Sequence, residues 1–353
     1  MSKNKVLITF DSMKYTNCGY FSFGYGLSKA LIKQNNEKND LTFYLFKESR
    51  VLFDGFVNII NLSILDRLFF KNKNNFDVVH FSDQTCRLSP KRVNSKKIMT
   101  IHDMNKVHLK YSNPHRIKVY LKNLGKLISA CDRVVCISNF VAKDVKHYFP
   151  DQKDKVSVIY NGADKLIPKP HHIPKYKPNK PFLFTIGLLS AQKGFHLLPA
   201  LLEGNDYIMV ISGRETSHKE VILAEAIKYN CLDRVIITGI INDDDKTWYY
   251  ENCKAFLFPS IAEGFGLPVI EAMYFGKPVF LSKFTSLPEV GGKVAYYFDD
   301  FDAKKMQLVF KNGLQDYELN NRKADILLQA QKFTWEISAD KYLDLYYECL
   351  NSK

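Results

Sequence analysis

Several things are scarce or missing in this 353-residue sequence, and each absence removes a class of protein. No stretch reaches the roughly eighteen consecutive apolar residues that a bilayer-crossing helix needs. Met1 to Lys5 run directly into the strand-like residues 6–10, too abruptly for the apolar segment of a signal peptide. The seven cysteines, Cys18, Cys86, Cys131, Cys136, Cys231, Cys253 and Cys349, are odd in number and scattered, and none are spaced Cys-x-x-Cys. A disulfide scaffold and a zinc knuckle are thereby excluded, and free thiols in a reducing, cytoplasmic compartment are expected. Internal repeats and low-complexity tracts are missing too, which leaves no support for a solenoid or a disordered chain.

What remains is globular: 46% hydrophobic and 25% charged residues. At roughly 100–200 residues per domain, the length predicts two compact domains. The net charge of +13 is uneven, with residues 1–165 carrying +14, residues 166–180 carrying +4 and the remainder −5. A basic first half suits an anionic surface or substrate.

Short apolar runs at 6–10, 78–81, 98–101, 134–137, 156–160, 182–186, 207–211, 235–238, 255–258 and 278–281 alternate with helix-like segments. Strands buried on both faces and separated by helices predict parallel, doubly wound α/β sheets. Residues 168–181 hold five prolines, which bar a helix interior or a central strand, so this segment is expected to be the linker. The expected division is 1–167, a linker at 168–181, a second domain at 182–335 and a C-terminal helix at 336–353 that returns to the first domain. That helix shows Ile337, Tyr342, Leu345, Tyr346 and Leu350 at near-helical spacing.

The chemistry concentrates after the run at 255–258. Pro268 suits a first helical turn and Gly276-Lys277-Pro278 a stop, predicting a short helix at about 268–275. The loop Gly264-Phe265-Gly266-Leu267 would then present backbone amides at a helix start, where phosphate is favoured. Glu263 precedes the loop and Glu271 is placed in the first turn. Carboxylates beside a pyrophosphate are repelled by it, so each is useful only if it turns to hydroxyl donors. A nucleotide sugar has a vicinal diol on either side of its phosphates, which matches carboxylate, amide loop, carboxylate. The plainer alternative is a capping glutamate and a solvent-facing one.

The whole stretch Pro259-Ser-Ile-Ala-Glu263-Gly-Phe-Gly-Leu-Pro268-Val-Ile-Glu271-Ala closely resembles the signature of the retaining family 4 glycosyltransferases. The resemblance implies a GT-B fold, two Rossmann-like domains facing an interdomain cleft, with the nucleotide-sugar donor on the C-terminal domain and the acceptor on the N-terminal one. It implies that Glu263 contacts the donor sugar, that Gly264, Phe265, Gly266 and Leu267 face the sugar and phosphates, and that Glu271 holds the ribose. Asn17-Cys18-Gly19-Tyr20 is similar to the family's glycine-containing first loop, which carries over Gly19. Thr100-Ile-His102-Asp103 resembles the loop whose histidine lies near the transferred sugar. Phe184-Thr-Ile-Gly187 through Lys193 resembles the first donor-domain strand and its phosphate-contacting lysine. The family often has an arginine after that glycine, where this chain has Leu188; Arg214 is expected to supply the second cation.

His102, Lys193 and Glu263 are therefore the catalytic candidates, with Gly19, Gly187, Arg214, residues 264–267 and Glu271 binding the donor. A UDP- or GDP-linked sugar would be a co-substrate, with no resident cofactor. The acceptor would be a glycan or a lipid-diphosphate-linked saccharide of bacterial surface polysaccharide such as lipopolysaccharide, O-antigen or capsule. Asp243-Asp244-Asp245 precedes a helix-like segment and is read as capping rather than metal binding. Residues 114–130 form a helix with Ile117, Leu121, Leu124 and Ile128 on one side and Lys118, Lys122 and Lys126 on another. It is either a stripe for an anionic membrane face or an ordinary solvated surface. Two other classes compete: a sugar-nucleotide epimerase of the same architecture, and a nucleic-acid-binding protein, for which no motif is present.

Overall fold

The computed structural model describes residues 3–15, 18–109 and 113–351. Asn17 of the first loop lies outside the described residues. The chain forms two units, one running to Ala163 and resuming at Phe333, the other spanning Asp164–Lys332.

The first unit is built on seven parallel strands, β1 (Asn4–Thr9), β2 (Asn39–Leu45), β3 (Asn58–Asn61), β4 (Val78–Phe81), β5 (Lys96–Ile101), β6 (Arg133–Cys136) and β7 (Val156–Val158). Their spatial order is 3-2-1-4-5-6-7. Val6, Leu7, Ile8, Val78 and Val79 are fully buried, as expected of strands covered on both faces. Helices α1 (Gly19–Gln34), α2 (Pro114–Ser129) and α3 (Asn139–Tyr148) connect strands of this sheet. Strand order reverses between β1 and β4, which fixes the crevice at their carboxyl ends as the ligand position in this topology.

The second unit repeats the plan with six parallel strands: β8 (Phe182–Ile186), β9 (Ile208–Ser212), β10 (Val235–Gly239), β11 (Ala255–Phe258), β12 (Val279–Ser282) and β13 (Tyr296–Phe298), in the order 10-9-8-11-12-13. Its helices are α4 (Lys219–Lys228), α5 (Asp243–Asn252), α6 (Leu267–Met273), α7 (Leu287–Gly291), α8 (Ala303–Leu319) and α9 (Lys323–Ala330). Here the reversal falls between β8 and β11. Strands β2, β3 and β13 add to the runs read from sequence. The latter two are three or four residues long at sheet edges, and β2 opens on the polar Asn39 and Asp40.

The last helix, α10 (Trp335–Asn351), belongs to the first unit and packs on α1. Its inner face is Trp335, Ala339, Tyr342, Leu345, Tyr346 and Cys349, while Ile337 is exposed. Gly26 of α1 lies against Trp335, where a Cβ would come within 2.2 Å of the indole. Fully buried His80 on β4 places Nδ1 2.8 Å from the Tyr346 hydroxyl and Nε2 2.8 Å from Thr100 Oγ1, which in turn is 3.0 Å from the Tyr342 hydroxyl. This polar clip fastens α10 to β4 and β5.

The proline-rich segment is part of the second unit rather than a free tether. His172 Nε2 lies 2.7 Å from Asp245 Oδ1, Lys169 Nζ 3.2 Å from Asp244 Oδ2, and the Tyr249 hydroxyl donates to the Tyr176 carbonyl at 2.6 Å. Prolines forbid helix and central strand, but they leave side chains and carbonyls free to dock. The aspartate run occupies the first turn of α5, with Asn242 capping the Asp245 amide, and Asp243 pairs with Lys246.

Candidate active site

At the switch point of the second unit, β8 leads into Gly187 and β11 into Pro259. Gly194 adopts φ +70°, and a Cβ on it would stand 2.3 Å from the Pro259 carbonyl oxygen. Only a residue without a side chain lets the turn at Ala191–Lys193 sit on the end of β11. That contact aligns Lys193 with Glu263: Nζ donates to Oε1 at 2.5 Å and lies 5.1 Å from the centre of the Phe258 ring. Glu263 is only 9% exposed. Its amide donates to Thr285 Oγ1, and Ser286 Oγ donates to the carbonyls of Glu263 and Phe265, all at 3.0 Å. The loop through Gly264, Phe265, Gly266 and Leu267 is thus braced by the two residues that precede α7, with its first three residues buried.

Glu271 departs from the expected geometry. Helix α6 begins at Leu267, so Glu271 falls in its second turn and faces α5 instead of the helix start. Tyr250 donates to Glu271 Oε2 at 2.8 Å and Lys246 to Oε1 at 3.4 Å. Burial alone would lower the Lys246 pKa, but Glu271 and Asp243 hold its ammonium above the usual range. Burial first, then Glu271, pushes the Tyr250 phenol well up. Sequence reasoning missed both partners, because their approach to Glu271 depends on how α5 packs beside α6.

Gly187 and Arg214 are brought together. Gly213 approaches so closely that a Cβ there would lie 1.9 Å from the Gly187 carbonyl oxygen, and the Leu189 amide donates to the Arg214 carbonyl at 3.0 Å. The Arg214 side chain is exposed and makes no ion pair among the described residues, while Leu188, in the usual arginine position, is 44% exposed.

Gly19 and His102 belong to the first unit. Gly19 opens α1, and a Cβ added there would meet nothing within 4 Å, so local packing does not demand a glycine. His102 follows β5, packed edge-on against Phe23 and tilted against Tyr20. Its Nε2 is 2.9 Å from the Ser82 carbonyl, which can only accept, so Nε2 carries the proton and Nδ1 is left as an acceptor. Burial lowers the His102 pKa against the opposing pull of Asp83, which keeps the ring neutral.

Beside it lie two acids that the sequence reading passed over. Asp11 ends the approach from β1 and Asp83 the approach from β4, flanking the switch point, and with Cys86 their ligand atoms lie within 4.8 Å of one another. The available signal was an acid two residues beyond the end of each of two buried strands. Asp11 Oδ2 accepts from the Arg87 amide at 2.7 Å, while among the described residues Asp11 Oδ1 and Asp83 Oδ2 are buried without a conventional hydrogen-bond partner. Burial, then Asp83, pushes the Asp11 carboxyl up to about 6. Burial, then Asp83 and Asp11, also raises the Cys86 thiol. Burial and the neighbouring acids therefore favour the protonated forms of Asp11 and Cys86.

A carboxyl whose folded pKa is raised stabilises the fold below its unfolded pKa, near 4, and loses that contribution as pH climbs through 6. Asp11→Asn is therefore expected to raise unfolding free energy by about 2–3 kcal/mol at pH 8, with the gain fading towards pH 4. Urea titrations at the two pH values check this; an equal effect at both would refute it.

The apolar side of α2 is used internally. Leu124 and Ile128 are buried and Leu121 and Leu127 pack against the same core, which leaves Lys118, Lys122 and Lys126 exposed. Among the described residues no helix is long and apolar enough to cross a membrane.

Comparison with known proteins gives concordant results. Residues 168–340 match the model of the family described as glycosyl transferases group 1, and residues 45–165 match that of glycosyltransferase family 4. A serotype-specific mannosyltransferase, WbdA of Escherichia coli, is 30% identical over 77% of this chain and 36% of its own length. The chain therefore spans about a third of that relative. O-antigen chain mannosyltransferase B of Escherichia coli is 24% identical over 71% of this chain and 70% of its own. A glycosyltransferase structure from Rickettsia africae superposes with a TM-score of 0.76 at 16% identity, covering all of both chains.

Proposed function

The chain belongs to the family 4 glycosyltransferases of GT-B fold, and on that premise we propose that it moves a sugar from a nucleotide-sugar donor to a hydroxyl of a glycan or lipid-linked acceptor, with retention at the anomeric carbon. The observation that carries this reading is the partly buried Lys193–Glu263 pair at the switch point of the second unit. A donor diphosphate would take Lys193, which is the cation best placed to offset charge growing on the leaving group. Glu263, released from the lysine, would accept from sugar hydroxyls. Glu271 would likewise exchange its lysine and tyrosine partners for the ribose diol. Arg214 supplies a second cation for the diphosphate, in place of the arginine that Leu188 replaces.

In the first unit, neutral His102 would offer Nδ1 as an acceptor to a sugar hydroxyl. Transfer then needs positioning and charge stabilisation and no divalent cation. The names of the mannosyltransferase relatives support a role in bacterial O-antigen or related surface polysaccharide assembly, with a mannose-type donor as the first to try.

The test is a panel of UDP-, GDP-, ADP- and dTDP-sugars assayed by thermal shift in EDTA. At least one is expected to raise the melting temperature and to release its nucleotide only when an acceptor saccharide is added. No shift with any donor would overturn the class, and donor turnover without acceptor would favour an epimerase.

A further inference from the structure

One surface of the first unit is unlike the rest. The 3-10 turn Ile64–Arg67 and the two residues after it hold out Ile64, Leu65, Leu68 and Phe69, each between 66% and 82% exposed. Val51 and Phe56, on the segment that follows β2 at the same sheet edge, are more than 70% exposed. Single exposed apolar residues are ordinary, but four within six residues are not.

The turn is built rigidly. Ser63 and Asp66 form a capping box, Asp66 Oδ2 accepts from the Ser63 amide at 2.8 Å and from the buried Tyr44 hydroxyl at 3.0 Å, and Phe70 is buried against the Tyr44 ring. Anchored at Asp66 and Phe70, the backbone turns the four apolar side chains outward as a fixed group, and the only acid of the turn points in.

Arg67 of that same turn lines a pocket of about 490 Å³ with Arg87, Lys91 and Arg92. Among the described residues, none of the four cations is in a salt bridge. Helix α2 adds Leu127 to the pocket wall, which places the lysine-bearing helix beside it. A pocket whose four cations form no salt bridge among the described residues selects an anion, and an apolar rim on the same turn selects one delivered at the boundary of an apolar phase.

We propose that residues 64–69 and the Arg67, Arg87, Lys91, Arg92 pocket dock this chain on a bilayer, with the apolar turn entering the headgroup boundary and the pocket taking a lipid phosphate. This concerns where the enzyme works and is separable from the transfer reaction. It also relocates the membrane contact that the α2 sequence suggested: α2 spends its apolar side on the core and brings only charge.

The experiment is co-sedimentation of the full chain with vesicles of phosphatidylcholine alone and of phosphatidylcholine mixed equally with phosphatidylglycerol. The chain is expected to bind the mixed vesicles and to leave the neutral ones in the supernatant. Leu68→Asp with Phe69→Asp should weaken binding about a hundredfold, from the loss of two inserted apolar side chains. Arg67→Ala with Arg92→Ala should weaken it roughly thirtyfold. All four residues are exposed, so melting temperature and the donor-induced shift should stay at wild-type values, and that shift tests the transfer reading independently. Failure of the wild type to bind anionic vesicles, or binding by both variants at wild-type strength, would overturn the proposal. So would a dimer in sedimentation velocity that dissociates in the Leu68→Asp, Phe69→Asp variant, because a second copy would then cover the patch.

Discussion

Replacing Lys193 by alanine is expected to lower kcat/KM for donor transfer by about two to three orders of magnitude, the loss typical of removing one group aimed at developing charge. Most of the fall should appear in kcat, because the lysine's advantage grows as negative charge moves onto the leaving diphosphate. Glu263→Gln keeps the shape and removes the charge. It should also fall steeply, since an amide accepts through one oxygen only and offers no field to a ring acquiring positive charge. The pair must be separated from a merely structural ion pair. If its role were only to hold the turn Ala191–Lys193 on β11, each single variant would lose stability by leaving a half-buried partner unpaired, and Lys193→Ala with Glu263→Gln together would recover it. Activity recovering with the double substitution would sink the catalytic assignment. Arg214→Ala offers the contrast. Its side chain is exposed and makes no ion pair among the described residues, so it should raise the donor KM several-fold while kcat and melting temperature hold; unchanged donor affinity would remove Arg214 from the site.

Acidification is expected to loosen the first unit through His80. Burial, then the neighbouring His102, pushes the His80 pKa down to about 3, against about 6.5 in the unfolded chain. The neutral ring is therefore favoured by folding. Stability is complete above pH 6.5 and is lost as pH falls towards 3, because the unfolded state takes up the proton first. At about 1.4 kcal/mol per pH unit, this one site costs about 3 kcal/mol by pH 4. His80→Asn should be less stable at pH 7, where it loses ties to Tyr346 and Thr100, yet show a shallower decline between pH 7 and 4. Asp11 gains stability over part of the same interval, so the informative quantity is the difference between variant and wild-type slopes. Parallel urea-midpoint curves would exclude His80 as the sensitive group. The consequence is structural, since the same clip holds α10 to β4 and β5.

The sequence by itself determined the α/β class, the two sheets and the donor-site motif, because those follow from local rules. Buried parallel strands read as unbroken apolar runs such as 255–258, and a glycine loop flanked by glutamates needs contiguous residues. It did not determine what those residues touch. Glu271 shifted from the helix start to the second turn because α6 begins one residue earlier than Pro268 suggested, and its Lys246 and Tyr250 partners come from another helix. The proline-rich segment looked like a tether until its side chains met Asp244 and Asp245. Asp11 and Asp83 are 72 positions apart and become neighbours only because β1 and β4 are adjacent in the sheet. The apolar stripe of α2 and the apolar residues at 64–69 are equally hydrophobic on paper. Only tertiary packing decides that one covers a core while the other faces outward, because burial is a property of what lies opposite a side chain.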